Sequence, residues 1–365
     1  MKICFIVGEF PNLKCGIGDY TSLLANNLAN DKVEVSVITS KEASSENKKI
    51  KIYNIIDEYN FNSIKIILSK LKEIKPDIVH IQYPSNKYVH RRVTSVLLPL
   101  SIKFFLKNIK LVETIHEYPE YLKKGKLFYS LNYSIMDYII IAEEKYNDFI
   151  KKDFEKIYNK LNIKYIPIGS NIPKSEMTDV QKQELRKKLG IENFKIISYF
   201  GFASDKKGIE ILLDSFKYIK NSNVKLLFIG ELNKENSYHN KLLNLITELN
   251  LEENIIITGF IEDPKKVSDY LAISDICVLP FVEGAQTRNT SYLAAVNQDI
   301  NVITTSLDEK KDFDNIFFVK PNNSKILADK IDEVLETKKC KNECSKDNWR
   351  KIVDEHCNIY KKIIN

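Results

Sequence analysis

The sequence predicts an α/β protein with two doubly wound, Rossmann-like domains. Three features favour this class. Short apolar runs alternate with amphipathic stretches, the alternation restarts after a Pro- and Gly-rich segment near the middle, and 365 residues exceed what one ordinary core organises. With 44% hydrophobic residues the chain is too apolar for a disordered protein. We therefore expect two domains of roughly 150 to 200 residues each.

Five apolar runs in the first half of the chain predict buried strands, because short continuous apolar runs are typical of a parallel sheet. They cover residues 2–7, 33–39, 78–81, 110–115 and 138–142. Helical patterns such as 22–28 and 64–74 separate them. A strand, helix, strand order indicates a parallel sheet with helices on both faces.

A domain boundary is predicted near residue 170, because segment 166–173 contains two Pro and one Gly and a polar stretch follows it. This gives domains at 1–170 and 171–345 and a closing amphipathic helix within 346–365. Strand patterns in the second domain cover 195–200, 224–229, 255–258, 276–279 and 302–304, with helices at 209–220 and 237–249. The second domain therefore repeats the doubly wound pattern.

Charge is unevenly distributed along the chain. The formal net charge of +6 is far below that of a dedicated nucleic-acid-binding domain, which excludes a histone-like or ribosomal role and predicts no nucleic-acid partner. Up to residue 170 there are 26 Lys and Arg against 19 Asp and Glu, and afterwards 29 against 30. The segment 91–110 mixes Arg91, Arg92 and three lysines with apolar residues. It is either a solvated rim or a surface for anionic lipid or a phosphate-bearing acceptor.

The N-terminus does not resemble an export signal. Its apolar run stops at Gly8, without the long apolar region and cleavage site of a signal peptide. The most apolar stretch, 93–106, is interrupted by Pro99 and Lys103 and is shorter than the ~20 residues of a membrane span. We expect a cytoplasmic protein, peripheral on the inner face of the cell membrane if the basic segment contacts lipid.

Cysteine spacing argues against disulfides and against a metal. The six cysteines show no CxxC pair, so buried reduced thiols are expected. One cluster, formed by Cys340, Cys344, His356 and Cys357, matches no structural zinc pattern. We therefore predict no metal site there.

Glycine-containing turns follow the first strand of each domain. Gly16 and Gly18 precede a helix that is expected to begin near Thr21, and segment 201–208 encloses a Lys pair before a helix from Ile209. Glycine lets backbone N–H groups approach an anion at the positive end of a helix dipole. Neither turn matches Walker A or GxGxxG, so each alone is a weak signal. Together they predict anion-binding turns at the carboxyl ends of both sheets, facing each other across a central cleft.

Four segments along the chain form a more specific pattern. They are Gly16-Ile17-Gly18-Asp19-Tyr20-Thr21, Tyr199-Phe200-Gly201 with Lys207-Gly208, Thr258-Gly259-Phe260-Ile261, and Asp275-Ile276-Cys277-Val278-Leu279-Pro280-Phe281-Val282-Glu283-Gly284-Ala285. In this order and spacing they resemble the bacterial glycosyltransferases of family 4 (glycosyl transferases group 1), which have the GT-B fold. The resemblance covers nearly the whole chain, including the Trp349 helix, which in the family crosses back onto the first domain.

The resemblance implies a retaining, metal-independent hexosyltransferase without a cofactor. It would move a sugar from a nucleotide diphosphate sugar to a glycan, lipid-linked or protein-linked acceptor in surface polysaccharide or glycoconjugate synthesis. The family implies that the diphosphate lies between the Gly16–Gly18 turn and Lys207. The implied catalytic residues are His116, Glu283 and Lys207. The implied donor-binding residues are Gly16, Gly18, Gly201, Lys207, Phe260, Gly284, Ala285, Gln286, Thr287, Arg288 and Ser291.

The chemistry of the implied reaction suits these residue types. A leaving diphosphate gains negative charge as the glycosidic bond breaks, so preorganised amides, a helix N-terminus and cations lower the barrier. The family implies that Glu283 and the backbone amides after it hold the sugar. A departing phosphate that takes the acceptor proton would explain why no carboxylate pair with glycosidase spacing is evident.

Two positions depart from the family pattern. Relatives commonly have a second Glu with seven residues between the two, and Ser291 stands there. They also commonly have Arg after the Gly equivalent to Gly201, and Phe202 stands there. We infer that Arg288 replaces the lost cation, and that Ser291 or Asn289 replaces the lost ribose contact. For Arg288 the alternative is a surface salt bridge.

Candidates from the first domain are fewer. His116 follows the strand at 110–115, where loops carry function in this architecture, and relatives often use His here to contact the sugar or acceptor. A satisfied structural imidazole is the alternative. Asp19 and Tyr83 are expected on the acceptor side, whereas His80 is expected to be structural. The Asp312-Phe313-Asp314 motif resembles a metal motif of another glycosyltransferase fold, but we interpret it as a solvated loop.

Two other hypotheses stay open at this point. The missing second Glu is compatible with a GT-B-fold sugar-nucleotide epimerase or phosphorylase. A non-catalytic two-domain sugar-binding protein is a further alternative, although a periplasmic binder would need an export signal. The nucleotide base, the sugar, the acceptor and the oligomeric state are not determined, and the Ser at position 291 makes a thymidine diphosphate sugar a credible donor.

Overall fold

The computed structural model describes residues 1–11, 15–30, 32–43, 49–83, 96–118, 125–306, 315–338 and 348–365. The chain forms two compact units, Met1–Gly169 with Asp347–Asn365, and Ser170–Lys346. Several sequence-based predictions lie outside the described residues, namely those on Arg91, Arg92, Cys340, Cys344 and the motif at 312–314.

The first unit has a seven-stranded sheet in which every strand pair is parallel. The strand order is β3-β2-β1-β4-β5-β6-β7. The strands are β1 (Lys2–Ile6), β2 (Glu34–Ser40), β3 (Ile50–Ile56), β4 (Ile78–Tyr83), β5 (Lys110–Ile115), β6 (Tyr138–Ile141) and β7 (Ile163–Tyr165). The order reverses between β1 and β4, so loops after these strands border the crevice in which doubly wound sheets bind ligands.

Helices α1 (Gly16–Leu28), α2 (Phe61–Ile74), α3 (Leu98–Phe105), α4 (Gly125–Ile135), α5 (Lys145–Asp153) and α6 (Glu155–Tyr158) cover this sheet. A single apolar cluster joins buried residues of α2 to α5 to those of the strands, among them Ile67, Ile102, Tyr133 and Ile150. Local sequence sets the ends of α2, because the Asn60 side chain accepts from two backbone N–H groups at its start and Lys75 ends it in the left-handed conformation.

The second unit has six parallel strands in the order β10-β9-β8-β11-β12-β13. The strands are β8 (Lys195–Phe200), β9 (Val224–Ile229), β10 (Ile255–Ile257), β11 (Ile276–Leu279), β12 (Asn301–Thr305) and β13 (Ile316–Val319). The helices are α7 (Asp179–Lys188), α8 (Ile209–Ser215), α9 (Ser237–Glu248), α10 (Pro264–Ala272), α11 (Thr290–Val296) and α12 (Ser324–Leu335). The predicted class of two doubly wound parallel sheets is confirmed.

The C-terminal helix α13 (Asn348–Ile364) packs within the first unit, where it contacts α1. The imidazole of His80 lies fully buried between α13 and the sheet, with Nδ1 2.6 Å from the Tyr360 hydroxyl and Nε2 2.7 Å from Thr114 Oγ1. His356 is also fully buried, and its Nδ1 donates to the Ile352 carbonyl oxygen. The expected structural role of His80 is confirmed, because both of its ring nitrogens are bonded.

Two helix bounds differ from the predictions. Helix α1 begins at Gly16 rather than near Thr21, so both glycines of this motif lie in its first turn. Thr21 Oγ1 donates to the Ile17 carbonyl oxygen, four residues back, and is therefore inside the helix rather than capping it. Helix α8 ends at Ser215, because tighter turns with bonds such as Lys217 N to Asp214 O follow it.

Candidate functional site

The turn after β8 requires both of its glycines. Gly201 and Gly208 have φ values of +138° and +66°, where a side chain is strained. At Gly208 a Cβ would lie 2.0 Å from the Pro280 carbonyl oxygen, so only glycine allows the turn to approach the loop after β11 this closely. The Val282 N–H also donates to the Lys206 carbonyl oxygen. The two predicted donor-binding segments of the second unit therefore lie together, at the carboxyl end of its sheet.

Lys207 is held at this junction. Its Nζ lies 4.8 Å from the centroid of the Phe281 ring, in a cation–π geometry. Burial lowers the pKa of Lys207, and the positive charge of Arg288 lowers it further. Two cations this near to each other in a half-buried position repel, and a bound anion would relieve that repulsion. The effect of the Arg288 charge on the pKa of Lys207 indicates that the two cations lie in the same part of the second unit, and their joint contact with a diphosphate stays a prediction.

Backbone N–H groups of the loop between β11 and α11 donate hydrogen bonds to acceptors within the protein. The Gly284 N–H donates to the Phe281 carbonyl oxygen and the Ala285 N–H to that of Thr305. The Gln286 N–H donates to Asn289 Oδ1, at 2.7 Å. These three amide N–H groups donate to acceptors within the protein. In this structure they are therefore not positioned to donate to the sugar, which is the contact that the sequence analysis expects. The Glu283 side chain is exposed, and its contact with the sugar stays a prediction.

Arg288 is oriented by its neighbours in this loop. Its Nε donates to Gln286 Oε1 at 2.8 Å, which fixes one edge of the guanidinium. A guanidinium has five N–H donors in a planar fork, a geometry that suits a bidentate contact with phosphate. The surface salt bridge that the sequence analysis gives as the alternative for Arg288 stays a prediction.

Ser291, which occupies the position of the second Glu of relatives, is only 5% exposed. Its hydroxyl has no hydrogen-bond partner among the described residues. The nearest atom to a Cβ built on Gly201 is Ser291 Cβ, at 3.4 Å, so the serine lies against the glycine turn. An unpartnered buried hydroxyl costs about 1–3 kcal/mol, which a hydrogen-bonding ligand would remove.

Two phenylalanines stand at the same edge of the sheet. Phe202 follows β8 and Phe260 follows β10, and they are 56% and 46% exposed. Their rings are nearly parallel, 15° apart, with centroids 6.5 Å from each other. Phe202 therefore presents an aromatic surface where relatives commonly have Arg, and the replacement of that cation by Arg288 stays a prediction.

In the first unit, Gly18 allows α1 to pack against the loop after β1. A Cβ at Gly18 would lie 2.7 Å from the Glu9 carbonyl oxygen, whereas Gly16 is exposed at the start of the helix. Asp19 is half-buried in the same turn, and its N–H donates to the Cys15 carbonyl oxygen. Close packing thus explains why residue 18 is a glycine, and a ligand contact of Gly16, Gly18 and Asp19 stays a prediction.

His116 is held within a small polar and aromatic cluster. Its Nε2 donates to Gln82 Oε1 at 2.7 Å, which puts the proton on Nε2, and its ring meets that of Tyr20 edge to face at 5.0 Å. The Tyr20 ring lies 5.4 Å from that of Trp349 on α13. Tyr83, predicted on the acceptor side, is buried in the apolar core, with its hydroxyl 3.0 Å from that of Tyr129. The roles of His116 and Tyr83 stay predictions.

The sequence analysis missed a buried acid. Glu113 lies in the middle of β5 with 1% of its surface exposed, and Asn132 Nδ2 on α4 donates to its Oε2 at 3.2 Å. Burial raises the pKa of Glu113 to about 8, and the Asn132 bond lowers it slightly. A Glu inside an otherwise apolar strand pattern was the signal available in the sequence. Protonated Glu113 carries an O–H donor beside Asn132, whose Oδ1 has no hydrogen-bond partner among the described residues.

Among the described residues, no three His, Cys, Asp or Glu side chains are grouped so that they could hold a metal ion. In the same part of the chain, no helix has both the length and the apolar character needed to cross a membrane. Cys4, Cys15 and Cys277 are buried without disulfide bonds, and burial raises the pKa of each thiol.

Comparison with protein families matches both units. Residues 181–350 match the glycosyl transferases group 1 family, and residues 2–102 match the glycosyl transferase 4-like family. A similar curated protein is the capsular polysaccharide biosynthesis glycosyltransferase CapM of Staphylococcus aureus, 28% identical over 209 residues, which are 54% of this chain and 52% of CapM. The chain spans about half the length of the first curated relatives it matches.

Solved structures share the fold over the whole chain. A glycosyltransferase from Rickettsia africae superposes with a TM-score of 0.79 at 19% identity, covering 100% of this chain and 98% of its own. The Anabaena protein HepE in complex with UDP-glucose superposes with a TM-score of 0.68 at 18% identity, with the same coverage. At these identities the likeness establishes the GT-B fold alone.

Proposed function

Since the chain belongs to the glycosyl transferases group 1 family, we propose that it transfers a sugar from a nucleotide diphosphate sugar to an acceptor, with retention at the anomeric carbon and without a metal. The observation that carries this proposal is the grouping of Lys207, Arg288 and Ser291 at the carboxyl end of the second sheet. Two neighbouring cations and a buried, unpartnered hydroxyl match the charge of a diphosphate and the hydrogen-bonding capacity of a ribose.

The donor side of the mechanism follows from the charges. As the bond between the anomeric carbon and the diphosphate breaks, negative charge accumulates on the leaving phosphate. Lys207 is held in place by the glycine turn and the Phe281 ring, so it stabilises this charge without reorganising. Arg288 adds a planar fork of donors that suits two phosphate oxygens. HepE binds UDP-glucose, and we propose the same class of donor for this chain.

The acceptor side is proposed from the balance of the reaction. The acceptor hydroxyl oxygen forms the new bond on the face that the diphosphate leaves, and its proton passes to a leaving phosphate oxygen. This route requires no carboxylate base, and Glu283 is assigned to binding the sugar hydroxyls. His116, with its proton on Nε2, is assigned to the sugar or acceptor. The acceptor class that we propose is a glycan, free or lipid-linked, because CapM acts in capsular polysaccharide synthesis.

A nucleotide panel tests donor binding. The melting temperature should rise with a nucleoside diphosphate or its sugar conjugate, because a ligand that binds only the native state stabilises it. Ser291 provides one neutral hydroxyl in place of a carboxylate, so we expect little discrimination between ribo and 2′-deoxyribo donors. A panel without any stabilising nucleotide would contradict the proposal, and stabilisation without transfer to any glycan acceptor would favour the sugar-binding or epimerase alternatives.

A matched pair of lysine variants tests the site. Lys207→Ala should lower transfer by ~10²-fold or more at unchanged melting temperature, on the scale of removing one preorganised charge. Lys206→Ala, which removes the exposed lysine of the same turn, should leave transfer near its normal rate. Equal rates in the two variants would remove Lys207 from the site. NMR of the anomeric proton in the product tests retention, and activity in excess EDTA tests metal independence.

A further inference from the structure

The backbone and the ring of His116 are both constrained by neighbours in the first unit. The His116 N–H donates to the Tyr83 carbonyl oxygen at 2.8 Å, so the pairing of β4 with β5 continues through this residue. The side chain is 3% exposed, and its Nε2 is bonded to Gln82 Oε1. Tyr20 of α1 contacts the ring edge to face. Such constraints suit a side chain that has to meet a substrate in one geometry.

Tyr20 in turn contacts Trp349, in the first turn of α13. The two rings lie 5.4 Å apart at an angle of 39°, and Tyr20 is 3% exposed. Trp349 also packs directly on backbone, because a Cβ at Gly169 would lie 2.8 Å from Trp349 Cε2 and 2.9 Å from its Nε1. The indole therefore packs against the Tyr20 ring and against a residue that has no side chain to move. A close-packed interior transmits the displacement of one ring to the next.

The rest of α13 is anchored by contacts that do not involve Trp349. Tyr360 is fully buried, and its hydroxyl is 2.6 Å from Nδ1 of His80 in the sheet. Ile359 is 3% exposed. These contacts lie about 15 Å further along the helix, at 1.5 Å per residue. The docking of α13 therefore has its own apolar and hydrogen-bonded contacts, whereas the Trp349 ring contacts the tyrosine that adjoins His116.

We propose that Trp349 and Tyr20 are positioning residues for His116, so that the C-terminal helix controls the geometry of a site residue in the first unit. The inference rests on the proposed function, in which His116 contacts the sugar or the acceptor. Without the Trp349 ring, Tyr20 gains room to turn, and the imidazole loses the edge-to-face contact that orients it. A misplacement of about 1 Å can cost ~10²-fold in rate, so transfer should fall although no group that touches the substrate is removed.

Steady-state kinetics of matched variants of the full chain test this inference. Trp349→Ala should lower kcat by about tenfold or more. Trp349→Phe should recover most of that loss, because an aromatic ring remains against Tyr20. Tyr20→Leu removes the ring next to His116 from α1 and should lower kcat as Trp349→Ala does, which provides a second variant if the first does not fold. The control is Ile359→Ala, which opens a cavity under the same helix and should lower the melting temperature without lowering kcat.

A double-variant comparison separates positioning from a merely structural role. In the His116→Ala background, Trp349→Ala should cause no further loss of kcat, because no imidazole is left to position. Three results would overturn the inference: a further loss of the same size in that background, full activity of His116→Ala, or equal losses of kcat in Trp349→Ala and Ile359→Ala.

A second readout does not require transfer and so separates this inference from the proposed function. In NMR spectra of the histidine side chains, the His116 signals are identified by their absence in His116→Ala. They should shift in Trp349→Ala and in Tyr20→Leu and stay unchanged in Ile359→Ala. Unchanged His116 signals in both of the first two variants would overturn the inference. Absence of sugar transfer by the unaltered chain would contradict the proposed function, and the NMR comparison would still decide whether Trp349 and Tyr20 orient the imidazole.

Discussion

Glu113→Gln is the substitution for which the structure predicts the sharpest effect on stability. The buried Glu113 carboxyl has its pKa raised to about 8 from a reference of 4.5, because burial disfavours the charged form. The native state therefore binds this proton more tightly than the unfolded state does. The contribution of this bound proton to the free energy of unfolding is complete below the pKa that Glu113 has in the unfolded state. It is lost as the pH rises towards 8. Glutamine has the shape of the protonated acid and keeps both a donor and an acceptor for Asn132.

The magnitude follows from the range over which only the native state holds the proton. Each pH unit in that range is worth about 1.4 kcal/mol, so between pH 5 and pH 8 the protein loses about 3 kcal/mol of stability through Glu113. In the Glu113→Gln variant the side chain at this position does not titrate, so this loss of stability does not occur. The two proteins should have similar stability near pH 5, and the variant should be more stable by about 3 kcal/mol at pH 8.

Urea unfolding followed by tryptophan fluorescence measures this difference. The chain has one tryptophan, Trp349, and it lies in the same unit as Glu113, so its emission reports the unfolding of that unit. His356, whose pKa burial lowers to about 4, titrates in both proteins and cancels in the comparison. Glu73→Gln removes an exposed carboxylate of α2 and is the control for the loss of a surface charge. Parallel pH profiles for Glu113→Gln and the unaltered chain would refute the reasoning.

Three further substitutions probe the second unit. Arg288→Lys should lose much of the transfer rate although charge is kept, because the planar fork is lost, and full activity in steady-state kinetics would contradict the bidentate assignment. Ser291→Ala should raise the melting temperature, since it removes a buried hydroxyl that has no hydrogen-bond partner among the described residues. The binding free energy of the donor, measured by calorimetry, should weaken by about 1 kcal/mol. An unchanged affinity would exclude Ser291 from the donor site. Gly208→Ala should destabilise the turn far more than Gly190→Ala. Both glycines have φ of +66°, but only the first Cβ meets an atom, the Pro280 carbonyl oxygen, so equal melting temperatures would show that the clash relaxes.

The sequence by itself predicts the sheet architecture because burial on both faces makes each central strand a continuous apolar run. Strands β1, β2, β4, β5 and β6 are found close to their predicted bounds. Strand β3 is not predicted, since Lys51, Tyr53 and Asn54 interrupt its apolar pattern and its middle residues are only half-buried. Strands β7 and β13 are not predicted either, and both contain half-buried residues: all three residues of β7 and the middle two of β13.

The sequence also predicts which residues of the second unit form one group. Two local features can be recognised in the sequence: the glycines at 201 and 208, and the spacing from Glu283 to Ser291. The resemblance to a family is based on the order of these features along the chain. The proximity of Lys207 to Arg288 follows from two turns that end neighbouring strands of one sheet, β8 and β11. Parallel strands have their carboxyl ends at one edge, so this grouping is accessible to sequence reasoning.

Only the tertiary structure decides which of these groups are satisfied and which are not. The amides of Gly284 and Ala285 donate to carbonyl oxygens of residues 281 and 305, whereas the Ser291 hydroxyl has no hydrogen-bond partner in the described part of the chain. The raised pKa of Glu113 and the contact of Trp349 with Tyr20 likewise depend on tertiary packing. Composition and spacing fix which donors, acceptors and apolar groups a chain has. Their burial and their partners depend on contacts between residues far apart in sequence, so the folded chain alone determines them.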